Sequence, residues 1–150
     1  MTRPYRKSRF MDFKNIHIGQ IIKKRVLESE IDIVRICNFL KCSDEEIDTM
    51  YTLKSLDSEL LLRWSKLLEY DFFRIYNQHL ILYAPQISRN QSHVKKESGL
   101  PKFRKNIYTK EIIDFIVNLI ESGEKTRAQV IEEYRIPKTT LYKWLEKYKS

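Results

Sequence analysis

Lys138, Thr139, Thr140, Tyr142 and Lys143 cluster near the end of the sequence. They interleave with Leu141, Trp144, Leu145 and Tyr148, which recur at the spacing of one helical face. With Leu141, Trp144 and Leu145 buried, Lys138, Thr139, Tyr142 and Lys143 lie on the opposite face. Those residue types suit a nucleic-acid groove: Lys can bond a guanine edge or a phosphate, Thr can meet a thymine methyl, and Tyr can bond a phosphate. They lie near the start of their helix, the end that meets base edges when a helix-turn-helix docks. Arg127 and Gln129 open the preceding helix, the one that crosses the DNA backbone, and Lys125 stands just before it. A solvated surface of the same composition is the plain alternative, since Lys and Thr are common on any helix. The short turn and the helix spacing favour DNA contact.

Other chemistries find little footing. There is no nucleophile beside a base, no glycine-rich phosphate loop and no metal-ligand spacing. His17, His79 and His93 are scattered. Cys37 and Cys42, five positions apart, fall on different faces of a helix and read as reduced thiols of a cytoplasmic protein. No catalytic residue, metal, cofactor or small-molecule substrate is expected. A chain of 150 residues also leaves no room for a large metal-binding carboxylate fold beside its helical units. No apolar run approaches the roughly 20 residues of a membrane span, and the polar, basic N-terminus carries no signal sequence.

The elements that would position the cluster follow from hydrophobic period. Thr109 precedes a helix carrying Ile112, Ile116, Leu119 and Ile120, and Gly123 is placed to stop it. Thr126 and Gln129 form a capping box for a second helix with Val130, Ile131 and Tyr134. Arg135-Ile136-Pro137 is the turn, with Pro137 suited to the first position of the third helix. Upstream, Ile18, Ile21, Ile22 and Val26 predict one helix, and Ile33, Ile36, Cys37 and Leu40 a second. A third starts at the capping box Ser43-Asp44-Glu45-Glu46 and turns Ile47, Met50 and Tyr51 inward. A fourth follows Asp57 with Leu60, Leu61, Trp64, Leu67 and Leu68. Phe72, Phe73 and Tyr76 predict a short fifth helix, and His79–Tyr83 read as a helix end or a short strand.

Charge is distributed unevenly. The formal net charge is +8, which favours a polyanionic partner. Arg3, Arg6, Lys7 and Arg9 stand in residues 1–13 before any acid. Residues 84–106, broken by Pro85, Gly99 and Pro101, hold Arg89, Lys95, Lys96, Lys102, Arg104 and Lys105 against Glu97. Together these stretches hold the whole excess, and 14–83 and 107–150 are close to neutral. Lys102, Arg104 and Lys105 lie directly before the C-terminal unit, where a homeodomain carries its minor-groove arm. Charged tails also serve solubility alone.

Two stretches resemble known families. The run Tyr108-Thr-Lys-Glu-Ile … Arg135-Ile-Pro-Lys-Thr-Thr-Leu-Tyr-Lys-Trp-Leu is similar to the helix-turn-helix of transposase-type proteins, the DNA-recognition piece of insertion-sequence transposases. His17-Ile18-Gly19, Phe39-Leu40-Lys41-Cys42 and above all Ser55-Leu-Asp-Ser-Glu-Leu-Leu-Leu-Arg … Glu69-Tyr-Asp-Phe-Phe resemble the phage-repressor (Xre, lambda-repressor-like) domains common in Bacteroidetes. That second resemblance implies a DNA-reading third helix, and a homodimer, since such domains often dimerise. The third helix departs from the pattern. Asp44, Glu45, Glu46 and Asp48 would face phosphates with like charge. They either cap the helix and favour its dipole or form a dimerisation or partner surface.

These readings define an all-α chain of two small helix-turn-helix bundles joined by a flexible basic linker: a basic arm at 1–13, a repressor-like domain at 14–83, a linker at 84–106 and a homeodomain-like unit at 107–150. The function expected is sequence-specific binding of double-stranded DNA by a cytoplasmic, nucleoid-associated regulator. The alternatives are the DNA-recognition subunit of a transposition system and a protein-interaction adaptor.

Overall fold

The computed structural model describes residues 11–84, 98–101 and 108–148. Among them are eight α-helices and no strand: α1 (Ile18–Ser29), α2 (Ile33–Leu40), α3 (Asp44–Thr52), α4 (Ser58–Leu67), α5 (Phe73–Tyr83), α6 (Lys110–Glu121), α7 (Arg127–Tyr134) and α8 (Lys138–Lys147). The all-α fold of helix-turn-helix bundles is the one the hydrophobic period predicts. His79–Tyr83 are the end of α5, which runs unbroken from Phe73. The arm at 1–10 and most of the linker, including Lys102, Arg104 and Lys105, lie outside the described residues.

Contacts divide the chain inside α5, into Asp12–Asn77 and a unit from Gln78 onward. The composition change at Ala84 would place that division six residues later. Residues 78–83 go with the second unit because Gln78 is buried there and its side-chain oxygen accepts from the Thr109 hydroxyl at 2.9 Å. Tyr83 also meets the ring of Tyr134 edge-on at 6.1 Å.

In the first unit each helix start has its own acceptor for orphan N–H groups. His17 Nδ1 accepts from Gln20, Asp32 from Val34 and Asp57 from Glu59 and Leu60. Ser43 and Glu46 complete a reciprocal capping box. Ile18, Ile22, Ile36, Ile47, Trp64 and Phe72 are fully buried between these helices. Here α1 crosses α3 closely: the N–H groups of Ile18 and Gly19 donate to the carbonyls of Lys54 and Leu53, both at 3.0 Å. The Gln20 side chain donates to Tyr51 O at 2.8 Å. The positive start of one helix thus rests on the negative end of another. Ile33 and Phe73, inner positions by period, are 43% and 37% exposed. Each is the first residue of its helix, where the chain has not yet entered the core.

In the second unit Ile112, Ile116, Val130, Ile136 and Leu141 form the fully buried centre, with α6 packed on α8. Gly123 takes φ +78° just beyond α6, a left-handed stop that glycine reaches without strain. Thr126 and Gln129 cap α7 reciprocally. Pro137 is the residue before α8, with φ −55° and ψ 135°. Its extended ψ places it one step outside the helix, where the sequence suggested the first helical position.

Candidate nucleic-acid interface

The turn between α7 and α8 is three residues long. Arg135 is left-handed at φ 50°, which reverses the chain, and Ile136 is 1% exposed, which pins the turn to the core. From Pro137 the chain enters α8, where Leu141, Trp144 and Leu145 face inward. Trp144 meets the Tyr108 ring edge-on at 4.9 Å. With that seam buried, Lys138, Thr139, Tyr142 and Lys143 are exposed and Thr140 is half-buried.

The candidate residues separate into two groups. Arg127, at the start of α7, carries its guanidinium over the Tyr142 ring at 5.2 Å. Lys138 brings its ammonium over the same ring at 5.7 Å. Those three residues come together on the surface that also bears Thr139 and Lys143 of α8. Lys125 and Gln129 are engaged elsewhere. The Lys125 ammonium pairs with the Glu133 carboxylate and lies over the Tyr134 ring at 5.5 Å. The Gln129 side-chain oxygen accepts from the Thr126 N–H at 2.9 Å. Both line a cleft with Glu124, Glu132 and Glu133, a setting whose like charge opposes phosphate. Burial pushes the phenols of Tyr108 and Tyr134 above their ordinary range, as expected of rings that pack rather than bind.

Sequence reading passed over Arg135. It is exposed and stands in the turn itself, one residue beyond α7. The signal for it was the pair of buried residues on either side, Tyr134 and Ile136, which force the residue between them outward.

The first unit repeats this local form. Its α2 has eight residues, like α7. Lys41 is left-handed at φ 57°, as Arg135 is, and Cys42 and the cap Ser43 then lead into α3. In this register Ile47 matches Leu141, and both are fully buried. Asp44, Glu45 and Asp48 then stand where Lys138, Thr139 and Tyr142 stand, and all three acids are exposed. Glu46 is engaged by its own helix, accepting from the Ser43 N–H at 2.8 Å. Burial, then the charge of Asp48, raises the pKa of Tyr51. Burial, then Cys37 and Glu46, raises that of Cys42 against the opposing pull of Arg63.

Residues 104–148 match the family model described as the helix-turn-helix domain of resolvase. No curated protein and no solved structure gives a significant match to this chain. The second unit therefore carries a helix-turn-helix of the recombinase and transposase kind, a class of module that docks on DNA. None of the described helices is long and apolar enough to cross a membrane.

Proposed function

We propose that this chain is a sequence-specific DNA-binding protein that acts as a transcriptional regulator on the nucleoid, with α8 as its reading helix. The observation that carries this reading is the exposed Lys138-Thr139-Tyr142-Lys143 face at the start of α8, opposite a closed apolar seam, in a segment matching a resolvase helix-turn-helix. In this reading Thr139 and Lys143 meet base edges, and Arg127, Lys138 and Arg135 meet phosphates. Arg3, Arg6, Lys7, Arg9, Lys102, Arg104 and Lys105 add sequence-independent, salt-sensitive attraction.

The first unit, with its resemblance to phage-repressor domains, supports a homodimer or partner contact better than a second groove reader, because Asp44, Glu45 and Asp48 occupy its outer face. The resolvase-type match also favours a second reading, in which the chain recognises DNA for a separate recombination catalyst.

Selection from genomic fragments with the full chain at physiological salt tests the proposal. One enriched motif is the expected result, and Lys143→Ala should weaken binding to it by about 1–3 kcal/mol. Recovery without enrichment would reduce the protein to a charge-driven binder. Enrichment confined to the ends of mobile elements would favour the recombination reading.

A further inference from the structure

We propose that Tyr142 is a positioning residue for DNA contact: its ring gathers the Arg127 guanidinium from α7 and the Lys138 ammonium from α8, presenting both to the phosphate backbone as a preset pair. This rests on the DNA-binding reading above and assigns one residue of that surface a distinct task. The two cations lie over one ring, at 5.2 and 5.7 Å from its centre. Lys and Arg side chains lose rotamer freedom when they bind a phosphate, and an aromatic face that already holds them removes part of that cost.

A second ring in the same unit shows what distinguishes this arrangement. Lys125 lies over Tyr134, but Glu133 neutralises it and Tyr134 is buried, so that contact serves the fold. Among the described residues neither Arg127 nor Lys138 makes an ion pair with a carboxylate. Tyr142 is 42% exposed, which leaves the pair open to an incoming anion. The corresponding positions of the first unit, Ile33, Asp44 and Asp48, hold neither cations nor a ring. The gathering device therefore belongs to the turn that matches a DNA-binding family.

The test uses the full chain and two variants. In the free protein, NMR should show ring-current shifts on the Arg127 Hδ and Lys138 Hε protons. Tyr142→Phe should keep them and Tyr142→Leu should abolish them. On a selected DNA fragment Tyr142→Leu should bind about fivefold to thirtyfold more weakly, and Tyr142→Phe within about twofold of the unaltered chain. In an Arg127→Ala/Lys138→Ala background Tyr142→Leu should add little, because the groups it positions are gone. Three results would each overturn the proposal while leaving DNA binding intact: no ring-current shift, equal loss in the Phe and Leu variants, or full additivity. Equal loss would assign the effect to the phenol hydroxyl as a direct contact. Failure of the unaltered chain to bind any DNA would instead remove the DNA-binding reading, and this proposal with it.

Discussion

Gly19 sits where two backbones meet. A Cβ at this position would collide with the carbonyl oxygen of Met50 and stand 2.6 Å from those of Tyr51 and Leu53, distances no side chain tolerates. The same carbonyl group of Leu53 receives the Gly19 N–H, so a methyl group would both crowd the crossing and stretch the bond that closes it. Gly19→Ala should destabilise the protein by about 1–3 kcal/mol or more, read as a lower urea midpoint; an unchanged midpoint would mean that α1 and α3 can separate freely. Arg135 poses the opposite trade. Its left-handed φ of 50° costs a non-glycine residue about 1–2 kcal/mol, while glycine would loosen the unfolded chain by about 0.5–1 kcal/mol. Arg135→Gly should therefore leave stability unchanged or raise it by up to about 1.5 kcal/mol. It should weaken DNA binding through loss of a phosphate contact. Equal affinity would take Arg135 out of the interface.

At the scale of elements, one local form occurs twice with opposite outer faces. α3 and α8 each follow an eight-residue helix and a left-handed basic residue, yet one presents Asp44, Glu45 and Asp48 and the other Lys138, Thr139 and Tyr142. The acids at the start of α3 favour its dipole. Asp44→Asn with Glu45→Gln should thus lower stability by about 1 kcal/mol and, on the proposal that α3 stays out of the groove, leave DNA affinity unchanged. A tenfold gain in affinity would place α3 against phosphate. Much of this was legible beforehand. The apolar period located the helices, and the capping boxes at Ser43 and Thr126 marked two of their starts, because both signals are local. What escaped was set by tertiary context. Ile33 and Phe73 lie at helix starts that project beyond the core, and the side chain of Lys125 is held by Glu133. Exposure of a polar residue can be read from a helical wheel; whether a neighbour has already engaged it cannot.

At the scale of the whole molecule, the charge excess and the proposed reading helix lie in different parts of the sequence. Residues 14–83 and 107–150 are close to neutral, and the net charge of +8 arises from the arm and the stretch before the second unit. A charge-driven contribution of that kind acts on any duplex and falls steeply with salt, because each neutralised phosphate releases a counterion. A base contact from α8 discriminates between sequences and depends on salt far less. The two contributions should therefore separate experimentally. Deleting residues 1–10 removes Arg3, Arg6, Lys7 and Arg9. If all four meet phosphates, the slope of log K against log salt should flatten by about 3 to 4, with affinity lowered alike on selected and unrelated fragments. Lys143→Ala should instead lower affinity on the selected fragment alone and change the slope by no more than about 1. Titrations of both variants at four salt concentrations, on one selected and one scrambled duplex, check this directly. A loss on arm deletion confined to the selected duplex would show that the arm itself reads sequence, as an arm seated in a minor groove does.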